Sequence, residues 1–234
     1  MLFRQLFEPD SSTYTYLLGC PESGAAVLID PVLEMAERDL AEVAALGLQL
    51  AWTVETHIHA DHVTAAARLK SLSGCKAAFP AGDNVPGADA ELDEISPLTL
   101  GSVTLRPLFT PGHTDNHHCY LVEQAGLVFT GDALLIDGCG RTDFQGGCAE
   151  TLYRSVHGKL FSLPGETLVY PAHDYQGRRV SSIAQEQIRN PRLGGGKTME
   201  EFTAIMAALD LPYPKKIDVA VPANRLGGIV ADAA

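Results

Sequence analysis

Positive charge is scarce: 17 Lys and Arg face 29 Asp and Glu, a formal net charge of −12. Binding a phosphate backbone requires a basic surface to replace its counterions, so nucleic acid is excluded as a partner. Cysteine is sparse as well. Cys20, Cys75, Cys119, Cys139 and Cys148 are odd in number and include no Cys-x-x-Cys spacing, which excludes a disulfide framework and fits a reducing compartment. No apolar run approaches the roughly 20 residues needed to span a bilayer, so no membrane partner is expected. The start of the chain, Met1 to Pro9, lacks the basic-then-apolar order of a secretory signal, and the expected location is the cytoplasm. No repeat of fixed period and no long linker divides the chain. One domain over residues 1–234 with a short C-terminal extension is expected.

What is present is a concentration of metal ligands. Glu55-Thr56-His57-Ile58-His59-Ala60-Asp61-His62 places three histidines and an aspartate within six residues. The preceding Leu50-Ala51-Trp52-Thr53-Val54 reads as a buried strand, and Asp61 reads as the opening of a helix with Val63, Ala66, Ala67 and Leu69 at helical spacing. A single His or Asp is more often core or surface than ligand. Four ionisable groups on one turn are costly to bury unless a cation or hydrogen bonds compensate them.

Further chemistry-bearing residues end other strands. Val103–Phe109 leads to Thr110-Pro111-Gly112-His113-Thr114, and a hairpin over 119–130 runs into Gly131-Asp132. Thr167–Tyr170 reaches Pro171-Ala172-His173-Asp174. Strand-rich order interrupted by helices suggests two sheets with helices on their outer faces. Helices are expected over 33–46, 151–161, 180–189 and 198–209, followed by a Pro-rich tail and a flexible Ala-rich end. Arg178, Arg179, Arg189, Arg192 and Lys197 gather late in the chain, where composition favours a solvated helix face over an anion-binding patch.

Taken together, Thr56–His62, Thr110–Thr114, Gly131-Asp132 and Pro171–His173 resemble the metallo-β-lactamase superfamily, which implies an αββα four-layer sandwich (α/β, α+β class) with a metal at one edge. Within it the chain resembles the persulfide dioxygenases through Asp132–Ile136, Gly138–Phe144, Tyr170–Tyr175, Asn190–Leu193 and Val221–Asn224. That resemblance implies oxidation of glutathione persulfide by O2 to sulfite and glutathione. It implies one Fe(II) per chain, on His57, His113 and Asp132, and a homodimer. Such a set leaves positions on iron for sulfur and O2. His59, Asp61, His62 and His173 complete the ligand set of the superfamily's two-metal hydrolases. In a one-iron enzyme they would hydrogen-bond and orient ligands or water. Arg141, Arg192 and Tyr175 match positions that hold glutathione. His117 and His118, where many relatives carry small residues, are expected to face solvent.

The main alternative is a glutathione thioester hydrolase with a dinuclear centre, resembling hydroxyacylglutathione hydrolase. Against it, Thr142-Asp143 stands where that family carries an aromatic pair, and the C-terminal region is shorter. A β-lactamase is disfavoured by the missing export signal. A non-enzymatic redox or metal sensor would rely on Cys139 and Cys148, and the intact ligand set argues against it.

Overall fold

The computed structural model describes residues 1–230. One six-stranded sheet comprises β1 (Leu2–Glu8), β2 (Thr13–Cys20), β3 (Ala25–Ile29), β4 (Gln49–Val54), β5 (Lys76–Pro80) and β6 (Ala90–Leu92), in that spatial order. β1, β2 and β3 pair antiparallel, whereas β3 through β6 pair parallel. Parallel neighbours need crossovers, and α1 (Ala36–Ala45) and α2 (Ala66–Ser73) supply the first two. All eight residues of β2 are buried, which is why Thr13–Leu18 reads as a nearly unbroken apolar and β-forming run.

The second sheet contains β7 (Leu98–Leu100), β8 (Val103–Phe109), β9 (His118–Val122), β10 (Leu127–Gly131), β11 (Leu168–Pro171) and β12 (Ser181–Ser182), ordered β12-β11-β10-β9-β8-β7. β8, β9 and β10 are antiparallel, and β11 joins β10 in parallel. The crossover between those two is α3 (Ala149–Ser155) with a π-helical turn over Val156–Leu160. α4 (Ile183–Arg189), α5 (Met199–Ala207) and α6 (Ile217–Asn224) follow. Thr198 and Glu201 close a capping box at the start of α5.

The chain forms two compact units. One holds residues 1–92, 97–104 and 213–230; the other holds 93–96 and 105–212. Leu17, Leu28, Val43, Leu50 and Leu69 lie in a core of the first. Leu121, Val128, Leu152, Leu160 and Phe202 lie in the core of the second.

Two expectations need correction. Asp61 does not open a helix, because α2 starts at Ala66. Residues 63–65 spend their backbone groups outward instead: Val63 O accepts from Leu33 N, Ala65 N donates to Pro31 O, and Thr64 N donates to the Asn224 side chain. The donor-rich stretch is therefore an irregular loop over 55–65. The Pro-rich tail also forms a helix, α6, with Pro222 inside it. The Ala-rich end expected to be flexible lies outside the described residues.

In α1, Asp39 is fully buried; its Oδ1 accepts from Arg38 Nε at 2.9 Å and lies 2.8 Å from Arg38 Nη2. Burial lifts its carboxyl to about 6 against the ordinary 3.8, despite that partner. A raised folded pKa means the native state binds more protons than the unfolded chain between these values. Asp39 therefore costs stability as pH rises through this window. Asp39→Asn should gain stability relative to the parent between pH 4 and 7, by up to about 3 kcal/mol, and then stay level. Urea unfolding across that range measures the difference.

Candidate metal centre

The first unit carries the 55–65 loop at the end of β4. His57 and His59 are 1 % exposed and His62 is fully buried. Asp30, just beyond β3, organises this loop from a left-handed backbone conformation, φ 51°. Its Oδ1 accepts Thr56 N at 2.7 Å and its Oδ2 accepts the Thr56 hydroxyl at 2.9 Å. Thr56 Oγ1 lies 2.9 Å from His57 Nδ1. Because the threonine proton is directed to Asp30, the threonine oxygen accepts from His57 Nδ1–H. His57 thereby keeps its lone pair on Nε2, the atom a metal can use.

The neighbouring donors are differently engaged. His59 Nε2 donates to Asp30 Oδ1 at 3.1 Å and lies 3.5 Å from Glu55 Oε2. Burial alone would lower the His59 pKa, but the charge and hydrogen bond of Asp30, with Glu55 and Asp61 behind them, carry it well above the ordinary value. Burial raises Glu55, whose Oε1 accepts from the Thr64 hydroxyl at 2.5 Å. Asp61 Oδ2 accepts from His62 Nδ1 at 2.8 Å and from the Thr13 hydroxyl at 3.1 Å. His59 Nδ1 and His62 Nε2 are buried and have no hydrogen-bond partner among the described residues.

Asn224 of α6 fastens the loop. Its amide donates to His59 O at 2.8 Å and His62 O at 2.9 Å, while its oxygen accepts Thr64 N at 2.8 Å. Sequence reasoning found neither Asp30 nor Asn224 as a site residue. The strand-ending Ile29-Asp30-Pro31 was the available signal for the first. The second pairs with residues 160 and more positions away, beyond the reach of any local pattern.

The second unit brings His113, Asp132 and His173 together. His113 Nδ1 donates to Arg141 O at 2.7 Å; a carbonyl only accepts, so Nδ1 carries a proton and Nε2 is the nitrogen left for a metal. That Nε2 lies 3.5 Å from Asp132 Oδ2. His173 Nδ1 donates to the other oxygen, Oδ1, at 2.7 Å. With Nδ1 engaged, Nε2 and the facing carboxylate oxygen offer a cation one nitrogen and one oxygen donor, so this pair fits a metal ligand set. Gly140 lets the backbone come this close. A Cβ there would stand 2.6 Å from both His113 Nδ1 and Asp132 O.

The residues expected to hold substrate are unequally free. Arg141 shares both oxygens of Asp143, each at 2.7 Å, donates to Pro212 O at 2.8 Å, and lies over the Phe144 ring. Arg192 donates to Cys139 O at 2.9 Å and has no carboxylate partner among the described residues. Tyr175 is 75 % exposed, with its ring parallel to that of His173 at 6.1 Å. Arg178, by contrast, is consumed by Asp174 and Asp137. Burial pushes the Cys139 thiol up to about 11, so it is poorly suited to redox sensing. His117 and His118 do not face solvent. His118, the first residue of β9, is 2 % exposed, and His117 just before it is fully buried, bonded through its carbonyl and its Nδ1 to Thr110.

The sequence profile described as the metallo-beta-lactamase superfamily matches residues 9–173. A cattle (Bos taurus) protein named "Persulfide dioxygenase ETHE1, mitochondrial" is 51% identical, over 98% of this chain and 89% of that protein. The crystal structure of ETHE1 from Myxococcus xanthus has 50% identity and a TM-score of 0.94, covering 98% of this chain and 100% of that one. This chain belongs to the persulfide dioxygenase family of the metallo-β-lactamase superfamily. Persulfide dioxygenases and hydrolases share the superfamily: a "Hydroxyacylglutathione hydrolase" of Methylococcus capsulatus is 40% identical, over 69% of this chain and 62% of that protein. The two mixed sheets and their helices agree with the α/β sandwich expected of the family.

Asn224→Ala would leave the carbonyls of His59 and His62 and the N–H of Thr64 unsatisfied in the interior. At about 1 kcal/mol or more for each buried group, the loss should reach about 3 kcal/mol. Chemical denaturation of the metal-free protein measures it, and a cost under about 1 kcal/mol would contradict the role given to this side chain.

Proposed function

We propose that this protein is a glutathione persulfide dioxygenase that binds one Fe(II) through His57, His113 and Asp132. The balanced reaction is GSSH + O2 + H2O → GSH + sulfite + 2 H⁺, in which the outer sulfur is oxidised and O2 reduced. The observation that carries the reading is the His113–Asp132 pair, with Nε2 and Oδ2 facing each other and their remaining polar atoms already held by Arg141 O and His173. Family membership at 51% identity over nearly the whole chain supplies the reaction class. Iron on two imidazoles and one carboxylate would supply open coordination positions and the redox chemistry that O2 requires.

The protein's own part is to keep those donors in their ligating form. Thr56 and Asp30 hold His57; Arg141 O holds His113; His173 holds Asp132. For glutathione, Arg192 is the guanidinium best placed to bind a carboxylate, since no acidic side chain among the described residues occupies it. Tyr175 offers an exposed phenol. Arg141 contributes only where a substrate carboxylate shares or displaces Asp143. Free cysteines throughout the described residues support a cytoplasmic location, and we assign the chain to a homodimer by its family. No helix is long and apolar enough to cross a membrane among the described residues.

A second reading, the dinuclear thioester hydrolase, is favoured by one observation: the partnerless nitrogens of His59 and His62, which a further cation could take. Asp61, however, already accepts from Thr13 and His62, so we favour one metal.

Oxygen uptake by the iron-loaded protein on addition of glutathione persulfide should match sulfite release and vanish in His113→Ala, with one iron per chain by metal analysis. Two metals per chain, both needed for turnover, or thioester hydrolysis without oxygen uptake, would overturn the assignment. Arg192→Ala should raise KM for glutathione persulfide about tenfold, the equivalent of one charge-assisted contact of roughly 1.5 kcal/mol, with kcat little changed.

A further inference from the structure

Behind the carboxylate ligand lies a closed polar circuit that the proposed reaction does not use directly. β10 ends at Gly131, which adopts φ 49°, and the turn aims the N–H of Asp132 into the protein. A buried backbone donor needs an acceptor. His117 Nε2 accepts it at 3.1 Å. An amide can only donate, so Nε2 carries no proton and the neutral ring bears its hydrogen on Nδ1. Nδ1 lies 2.9 Å from Thr110 Oγ1 and therefore donates to it. The Thr110 hydroxyl lies 3.1 Å from Cys119 Sγ, and Cys119 donates in turn to Thr130 O at 3.4 Å. The circuit returns to β10 two residues before it left. Thr110, His117, Cys119 and Thr130 are all fully buried.

One direction of donation satisfies every member: Asp132 N–H to His117, His117 to Thr110, Thr110 to Cys119, Cys119 to Thr130 O. Fully satisfied buried networks of this kind define a single geometry. The backbone of Asp132 is fixed from behind by His117 while its side chain is fixed from the front by His173.

We infer that His117 is a positioning residue for the metal site: as an Nδ1–H imidazole it sets the backbone at Asp132 and, through it, the direction in which the carboxylate is offered to the metal. The inference rests on the reading of Asp132 as a ligand given above.

The test is spectroscopic titration of the metal-free protein with Co(II), together with melting of that metal-free protein and steady-state kinetics after iron loading. His117→Leu removes the acceptor while keeping apolar bulk. It should weaken Co(II) binding about 10- to 100-fold, the range typical of lost outer hydrogen bonds. KM for glutathione persulfide should stay within about twofold, and kcat should fall at limiting metal. His117→Gln, whose amide can both accept from Asp132 N and donate to Thr110, should restore Co(II) affinity to within about threefold of the parent. Should His117→Leu fail to fold, Thr110→Val carries the test, since it removes the partner of Nδ1 and should weaken Co(II) binding in the same direction.

A lowered melting temperature with Co(II) affinity unchanged would overturn the inference and leave His117 a packing residue. So would failure of the glutamine variant to recover affinity in a folded protein. Asp132→Asn separates this from the larger reading. If Asp132→Asn binds Co(II) as the parent does, the ligand assignment itself is wrong and the inference falls with it. If Asp132→Asn loses binding while His117→Leu keeps it, only the role of His117 falls.

Discussion

Each histidine assigned to iron surrenders its Nδ1–H to an acceptor supplied by the protein, and the rest of the metal chemistry depends on that commitment. His57 gives it to Thr56, whose own proton is held by Asp30; His113 gives it to the carbonyl of Arg141. A free imidazole samples both tautomers and rotates. A ring with Nδ1–H engaged presents Nε2 in one direction only, and it is also a better electron donor. The ligand set is thus defined as much by two acceptors as by two histidines.

Those acceptors exist because the donors sit where strands stop. A strand fixes the backbone up to its last residue. The next few residues are then free to turn side chains inward while their amides seek unusual partners. Asp30 follows β3, His57 follows β4, Asp132 follows β10 and His173 follows β11. The cost of such irregular backbone is a set of buried polar groups outside any ladder. Asp30, Asn224 and His117 each answer that need with a side chain: Asp30 for Thr56 N, Asn224 for three backbone groups of the 59–64 stretch, His117 for Asp132 N. None of the three needs to touch a metal.

The arginines show how geometry sorts residues that composition treats alike. Arg141, Arg178 and Arg192 all follow functional motifs, and only Arg141 and Arg192 were expected to bind substrate. Arg141 and Arg178 are neutralised by acidic side chains nearby in sequence, Asp143 and Asp174. Arg192 rests on a carbonyl, which orients the guanidinium without cancelling its charge. A guanidinium held in place yet electrically unspent is the better partner for a substrate carboxylate.

Most elements of the fold were legible in the sequence because they are local. The run from Thr13 to Leu18, the periodicity from Ala36 to Val43, and the Gly-bounded hairpin before Asp132 each encode their structure within about ten residues. The candidate donors and their order were equally legible, since a metal's demand for His and Asp is written directly into composition and spacing. Two local signals misled. Val63, Ala66 and Leu69 have helical spacing, but α2 begins only at Ala66 because the backbone of 63–65 bonds to Pro31, Leu33 and Asn224. His117 and His118 look like exposed polar residues, but His118 opens the buried strand β9 and His117 is bonded to Thr110 in the interior. Tertiary structure alone decided which nitrogen of each histidine is available, which arginine is uncommitted, and which buried side chains support the ligand loops. Many of those properties are set by partners far apart in the chain, such as Arg141 O for His113, Cys139 O for Arg192 and Asn224 for the 59–64 stretch, and a one-dimensional pattern carries no record of who meets whom.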